Sequence, residues 1–110
     1  YPMGGGFLSM HRDKSELYPK EMINVLIPFS KRTNKKNKYF GSFDNGGLYY
    51  FKNKKKIDIE KNLNVGDLVF HDQAILHGVS SVDYNKNFSL NNLNGRITLN
   101  FSIAKFLVSK

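Results

Sequence analysis

Two short β-strands are predicted where the chain reads GDLVFHDQAILHGVSSV, from Gly66 to Val82. The residues from Asn64 to Asp67 form a turn signal, and the apolar run Leu68–His71 leaves this turn. A second run, Gly78–Val82, is also typical of a strand. The stretch therefore predicts two strands joined by a short connection, and it contains two of the chain's three histidines.

The rest of the chain repeats this pattern of short strands separated by turns, which is typical of an all-β sandwich or barrel. About eight strands favour a single domain, residues 1–110, with a double-stranded β-helix (jelly-roll) fold that can enclose a ligand. Lys14–Lys20 is the only helix candidate, and it is short and contains a proline. The polar, Asn-rich stretch Tyr84–Gly95 is expected to be a loop. The other predicted strands are Phe7–His11, Met22–Phe29, Tyr39–Phe43, Leu48–Phe51, Ile57–Ile59 and Arg96–Val108, the last of which contains two strands or one bent strand.

The composition excludes several classes of protein. The chain has no cysteine, so disulfides, zinc ribbons and thiol nucleophiles are excluded, and any metal must be held by His and carboxylate groups. No apolar run reaches the roughly 18–20 residues that a membrane span needs, and no signal peptide is visible. We therefore expect a soluble, cytoplasmic protein without a membrane partner. Because the chain starts at Tyr1 and not at methionine, we also expect a processed product or a fragment of a longer protein.

The chain is strongly basic, with 17 Lys and Arg residues against 9 Asp and Glu residues and a formal charge of +8. Most of the excess lies in two Lys/Asn-rich stretches, Lys31–Lys38 and Lys52–Lys56. Both lie between apolar segments and are predicted to be solvated loops or strand ends. A polyanionic partner such as nucleic acid is the less favoured interpretation, because positive charge attracts polyanions at long range without giving specificity.

His11 and Asp13 form the first half of a candidate metal site. On a β-strand, residues i and i+2 point to the same face, so the imidazole of His11 and the carboxylate of Asp13 aim at one point. A second histidine from elsewhere in the fold, either His71 or His77, would complete a set of two imidazoles and one carboxylate. That set is the facial triad of non-haem Fe(II) oxygenases, which leaves positions open for substrate and O2.

The residues around His77 resemble the region of the distal metal ligand in the Fe(II)/2-oxoglutarate-dependent oxygenase superfamily. In that superfamily a His is followed two positions on by Val, as His77 is followed by Val79 in ILHGVSSV (75–82). His71 lies earlier, where the superfamily has variable residues. The resemblance therefore implies that His77, and not His71, is the second imidazole ligand. It leaves His71, Asp72 and Gln73 as candidates for orienting the imidazoles.

The same resemblance implies a 2-oxoglutarate site. In the superfamily an Arg on the last core strand binds the distal carboxylate of 2-oxoglutarate, and GRIT (95–98) looks like that strand. Arg96 and Thr98 would share one face, so Thr98 is expected to add a hydroxyl to the same carboxylate. The opening YPMGGGFLSMHRD (1–13) is similar to the start of the prolyl-hydroxylase-like branch, which implies that the Tyr1 hydroxyl also helps to hold 2-oxoglutarate.

The resemblance implies an enzyme, an Fe(II)- and 2-oxoglutarate-dependent dioxygenase that consumes O2. Its substrate would be a C–H bond of a protein, of the prolyl type, or of a small molecule. Members usually carry N-terminal helices on the outer sheet, and none is visible here, so we expect an exposed sheet that a homo-oligomer would cover. Two alternatives remain open: a cupin-like metal-dependent enzyme without 2-oxoglutarate, and a non-catalytic basic module that binds a polyanion.

Overall fold

The computed structural model describes residues 1–13, 21–33, 41–88 and 94–105. Within these ranges the chain forms nine β-strands and one short 3-10 helix, Glu60–Asn62, and no α-helix. The predicted all-β class is confirmed for the described residues, and the helix candidate Lys14–Lys20 lies outside them. The strands are β1 (Gly6–His11), β2 (Glu21–Pro28), β3 (Lys31–Arg32), β4 (Ser42–Phe43), β5 (Gly47–Lys52), β6 (Lys55–Asp58), β7 (Val69–Asp72), β8 (His77–Val82) and β9 (Thr98–Lys105).

The larger sheet has the strand order β1-β8-β5-β6, and all neighbouring strands in it are antiparallel. Val79 in β8 pairs with Leu8 in β1 and with Leu48 in β5. The hairpin between β5 and β6 turns through Asn53 and Lys54, whose φ angles of 52° and 60° are those of a two-residue hairpin loop. The lysines of this hairpin are exposed, as the sequence predicts.

The smaller sheet has the order β7-β2-β9, with β2 at its centre and antiparallel to both neighbours. The β2–β9 pairing runs along the whole of both strands, as far as Pro28 opposite Thr98. Pro28 has no N–H to donate and lies at the last position of β2, where its effect on the ladder is smallest. The strands β3 and β4 form a separate, short parallel pair.

The last strand begins later than the sequence pattern predicts. Arg96 precedes β9, which starts at Thr98. Gly95 has a φ of 120° and bridges to Pro2, and the Arg96 amide donates to the carbonyl of Tyr1 at 2.9 Å. The backbone of Arg96 therefore pairs with the N-terminal segment and not with β2. The prediction of strand at Arg96 was wrong for this reason.

The two sheets pack face to face over a small apolar core. Leu26 of the smaller sheet and Leu48 of the larger sheet belong to one buried cluster with Leu63. A cavity of about 510 Å³ lies between the sheets, with residues of β1, β5 and β8 in one wall and residues of β2, β7 and β9 in the other. All three histidines line this cavity.

The outer face of the smaller sheet is apolar and exposed. Ile23 pairs directly with Ile103, and the two residues are 48% and 56% exposed. Phe70, Leu99 and Phe101 are also exposed. The residues that the structure describes do not cover this face. No helix among them is long and apolar enough to cross a membrane.

Candidate metal centre

A row of three aromatic polar side chains crosses the larger sheet. His77 in β8 pairs with His11 in β1 on one side and with Tyr50 in β5 on the other. Residues that lie directly opposite each other on antiparallel strands point to the same face of the sheet. The rings of His11 and His77 are accordingly close, with centroids 4.5 Å apart.

A second polar row crosses the smaller sheet and faces the first. Asn24 in β2 pairs with His71 in β7 and with Ser102 in β9, and all three residues line the cavity. Ser102 Oγ donates to Asn24 Oδ1 at 2.7 Å. The candidate metal-site residues thus lie in a polar layer between the two sheets. The layer next to it is the apolar core.

Asp13 connects the two rows. Its Oδ1 lies 3.1 Å from His11 Nε2, and its Oδ2 lies 3.6 Å from His77 Nε2. From the smaller sheet, Asn24 Nδ2 donates to the same Oδ2. The ligand atoms of His11, Asp13 and His77 all lie within 4.8 Å of one another, so these three residues could hold a metal ion.

Two backbone carbonyls fix the orientation of the imidazoles. His11 Nδ1 lies 2.8 Å from the carbonyl oxygen of Ser9, and His77 Nδ1 lies 2.9 Å from that of Ile75. Because a carbonyl oxygen can only accept, each Nδ1 donates, and Nε2 is the ring nitrogen of each imidazole that could present a lone pair to an ion beside Asp13. Metal-binding histidines in proteins are held in this way, by donating the other ring N–H to an acceptor.

This arrangement favours a positive charge at its centre. With the protons on Nδ1, the Nε2 lone pairs of His11 and His77 face the carboxylate of Asp13, and three electron-rich groups at this distance repel one another. A cation between them removes the repulsion. Two imidazoles and one carboxylate form a donor set that suits Fe(II).

His71 is the third imidazole of the cluster. Its side chain is buried, with Nε2 3.7 Å from Asp13 Oδ2 and its ring centroid 4.8 Å from that of His77. Burial, and next the neighbouring His77, lower the pKa of His71. Its Nδ1 lies 3.3 Å from the hydroxyl of Tyr50. The structure therefore places both sequence candidates, His71 and His77, at the same carboxylate.

Arg96 lies in the wall of the same cavity and is only 2% exposed. Its Nε donates to Glu60 Oε2 at 2.8 Å, and that oxygen also accepts from the amide of Leu48 at 2.7 Å. Arg96 Nη2 is buried and has no hydrogen-bond partner among the residues that the structure describes. An unpaired buried donor is costly, and a carboxylate in the cavity would satisfy it.

Tyr1 and Thr98 differ in their relation to Arg96. Tyr1 lines the cavity, and the Cζ atom of Arg96 lies 5.5 Å from the centre of its ring. Thr98 pairs with Pro28 and does not line the cavity. Because Arg96 lies outside the strand, the rule that residues i and i+2 share a face does not apply to this pair. The structure brings Tyr1 to Arg96 but does not bring Thr98 into the cavity.

Several residues of the site were not predicted from the sequence. Asn24 had a sequence signal, because it is a polar residue within the apolar run of β2. Its side chain lines the cavity together with those of its paired residues His71 and Ser102. Glu60 had none, since its partner is distant in sequence. Among the suggested orienting residues, Asp72 accepts from the amide of Ala74 at 2.7 Å and so belongs to a turn.

Comparison of the chain with protein-family models, with curated proteins and with solved structures finds no match.

Proposed function

We propose that this protein is an Fe(II)- and 2-oxoglutarate-dependent dioxygenase that hydroxylates a C–H bond of a protein, of the prolyl type, or of a small molecule. The observation that carries the proposal is the convergence of His11 Nε2, an oxygen of Asp13 and His77 Nε2 at a cavity. Both imidazoles have Nδ1 engaged by carbonyls, so Nε2 is the atom of each ring that would bind the ion.

The chain's own residues would hold the ion from one side. His11, Asp13 and His77 come from β1, the segment after it and β8, whereas the opposite wall of the cavity belongs to the smaller sheet. Three protein ligands leave coordination positions for a 2-oxo acid and O2. Bound Fe(II) would supply O2 activation coupled to the oxidation of 2-oxoglutarate to succinate and CO2.

Arg96 is proposed to bind the far carboxylate of 2-oxoglutarate. Its Nη2, which is buried and unpaired within the described part of the chain, supports this role, because an incoming carboxylate would supply an acceptor. Glu60 binds Nε and thereby fixes the plane of the guanidinium. Tyr1 lies beside the guanidinium and lines the same cavity.

A jelly roll is the proposed form of the β-sandwich. In the larger sheet, β1 lies beside β8, and in the smaller sheet β2 lies beside β9, so strands from the two ends of the chain alternate between the sheets. This arrangement places the cavity between the sheets and is consistent with a single domain.

The first test is an anaerobic titration of the Fe(II)-loaded protein with 2-oxoglutarate, followed by exposure to O2. We expect a weak visible absorption band on titration and succinate on exposure. Asp13→Ala should abolish both, because it removes the carboxylate ligand. The matched control is Asp44→Ala, a change of the same kind at a half-exposed carboxylate that pairs with Lys86 on the surface. Normal succinate formation by Asp13→Ala would contradict the proposal.

A second candidate is a cupin-like metal-dependent enzyme without 2-oxoglutarate. The specific observation in its favour is His71, a third buried imidazole at the same carboxylate. Four protein ligands would leave fewer positions for co-substrates. In that case the Fe(II) protein would give no absorption band with 2-oxoglutarate, and His71→Leu would weaken metal binding as strongly as His77→Leu.

A further inference from the structure

We propose that His71 is not a metal ligand but donates a hydrogen bond from Nε2 to an oxygen ligand on the ion. Tyr50 sets the tautomer of His71 in which Nε2 carries the proton. This inference rests on the proposed binding of a metal ion by His11, Asp13 and His77. It does not depend on which oxygen ligand binds there.

The position of His71 brings its Nε2 to the metal cluster. It lies in β7 of the smaller sheet, opposite the sheet that carries the two histidine ligands. Nε2 faces Asp13 Oδ2 at 3.7 Å, and Nδ1 faces Tyr50 Oη at 3.3 Å. The side chain is 6% exposed, so water is largely excluded from its ring.

The partners of the two ring nitrogens decide the tautomer. Tyr50 Oη can donate or accept, whereas the carboxylate of Asp13 can only accept. If Nδ1 carried the proton, the Nε2 lone pair would point at a negative oxygen. If Nε2 carries it, Nδ1 accepts from Tyr50 and the N–H points at Asp13. The second arrangement is electrostatically favourable on both sides of the ring.

All three histidines face Asp13 through Nε2, and the other two differ from His71 in the partner of Nδ1. His11 and His77 face backbone carbonyls through Nδ1, which places the proton on Nδ1 and leaves Nε2 as a ligand atom. His71 faces a hydroxyl instead, which can donate to Nδ1. The Nδ1 partner is a carbonyl in His11 and His77, which are the proposed ligands. It is a hydroxyl in His71, which is the proposed donor.

Among the residues that the structure describes, His71 Nε2 approaches Asp13 Oδ2, but not closely. A separation of 3.7 Å from Asp13 Oδ2 is longer than a hydrogen bond. A buried donor needs an acceptor, and an oxygen on the ion beside Asp13 would be within its reach. The ligand class that fits is a small carboxylate bound to the metal, such as a 2-oxo acid or oxalate.

The tautomer can be measured directly by long-range ¹H–¹⁵N NMR of the Zn(II)-loaded protein, which has only three histidines. We expect the proton on Nε2 in His71 and on Nδ1 in His11 and His77. Tyr50→Phe removes the hydroxyl and should shift His71 towards a mixture of tautomers. A proton on Nδ1 of His71, with Nε2 bound to zinc, would overturn the inference.

The consequence for binding is measured with Co(II) and oxalate. His71→Leu should leave Co(II) affinity and the visible Co(II) spectrum close to those of the wild type but weaken oxalate binding about tenfold or more. His71→Gln, which retains an N–H donor, should recover part of the loss and serves as the folded comparison if the Leu variant is unstable. Tyr50→Phe should show a smaller loss than His71→Leu.

The failures are distinguishable. Loss of Co(II) affinity or an altered Co(II) spectrum in both His71 variants would make His71 a ligand and overturn the inference while leaving the metal site intact. Unchanged oxalate affinity in both variants would show that His71 does not donate to the ligand and would also overturn the inference. Failure of the wild-type protein to bind Co(II) would overturn the proposed metal site itself, and the inference with it.

Discussion

Arg96 and Glu60 form a buried ion pair across 36 positions of sequence, with Nε donating to Oε2 at 2.8 Å and both side chains 1% exposed. Glu60 comes from the 3-10 helix, and Arg96 comes from the segment before β9. The amide of Leu48 donates to the same Glu60 oxygen. The carboxylate thereby neutralises the guanidinium in the cavity wall, so Arg96 can stay buried when no ligand is bound.

Removal of the anionic partner alone should destabilise the protein strongly. In Glu60→Leu the guanidinium of Arg96 would remain buried without a counter-charge, and we expect the free energy of unfolding to fall by about 3–5 kcal/mol. Urea unfolding measures the change. The double variant Glu60→Leu/Arg96→Leu is the control and should recover part of the loss, because it leaves no unpaired charge. A double variant that is no more stable than Glu60→Leu would contradict the ion-pair explanation.

The role of Arg96 in ligand binding can be separated from its role in stability. In Glu60→Gln/Arg96→Gln both charges are removed together, so no buried charge is left unpaired. We expect 2-oxoglutarate affinity, measured from the absorption band of the anaerobic Fe(II) protein, to fall about tenfold or more, with Fe(II) affinity preserved. Arg32→Gln, which alters a surface ion pair with Asp58, is the matched control. Unchanged 2-oxoglutarate affinity in the double variant would exclude Arg96 as the anchor.

The parts of this fold that depend on local pattern could be predicted from the sequence. The i, i+2 spacing predicted that His11 and Asp13 aim at one point, and the structure places their side chains 3.1 Å apart, although β1 ends at His11 and Asp13 lies after the strand. The Lys/Asn-rich stretch Lys52–Lys56, predicted to be a solvated loop or strand end, contains the hairpin turn between β5 and β6. These features depend on residues close together in the chain, where periodicity and turn chemistry carry the information.

The parts that depend on sheet assembly could not be predicted in this way. The Glu60–Arg96 pair forms only once two distant segments meet, and neither residue has a local signal for it. The proximity of His71 to Asp13 follows from the register of β7 on β2, which aligns His71 with Asn24. Arg96 falls outside the strand because the N-terminal segment takes its amide hydrogen bond. Register and long-range pairing are set by the packed core and are absent from local pattern.

Asn24 should contribute to metal binding without being a ligand. It donates to Asp13 Oδ2, and Ser102 Oγ holds its own Oδ1 at 2.7 Å. Asn24→Leu removes the group that orients the carboxylate, and we expect Co(II) affinity, measured by calorimetry, to fall about 10–100-fold. Asn100→Leu is the matched control, because Asn100 also lines the cavity from the smaller sheet. Equal losses in the two variants would mean that cavity shape, and not orientation of Asp13, is responsible.

The metal-free protein should lose stability as the pH falls below about 6.5. Burial, and next the neighbouring His77, lower the pKa of His71 from 6.5, so the unfolded chain binds a proton at this position more readily than the folded one. Stability is therefore full above the unfolded value and decreases as the pH falls through the window below it. Urea unfolding of the EDTA-treated protein between pH 7.5 and pH 5.5 measures this slope. His71→Gln, which cannot titrate, should have a shallower slope over that range. An equal slope in the two proteins would show that other groups cause the acid sensitivity.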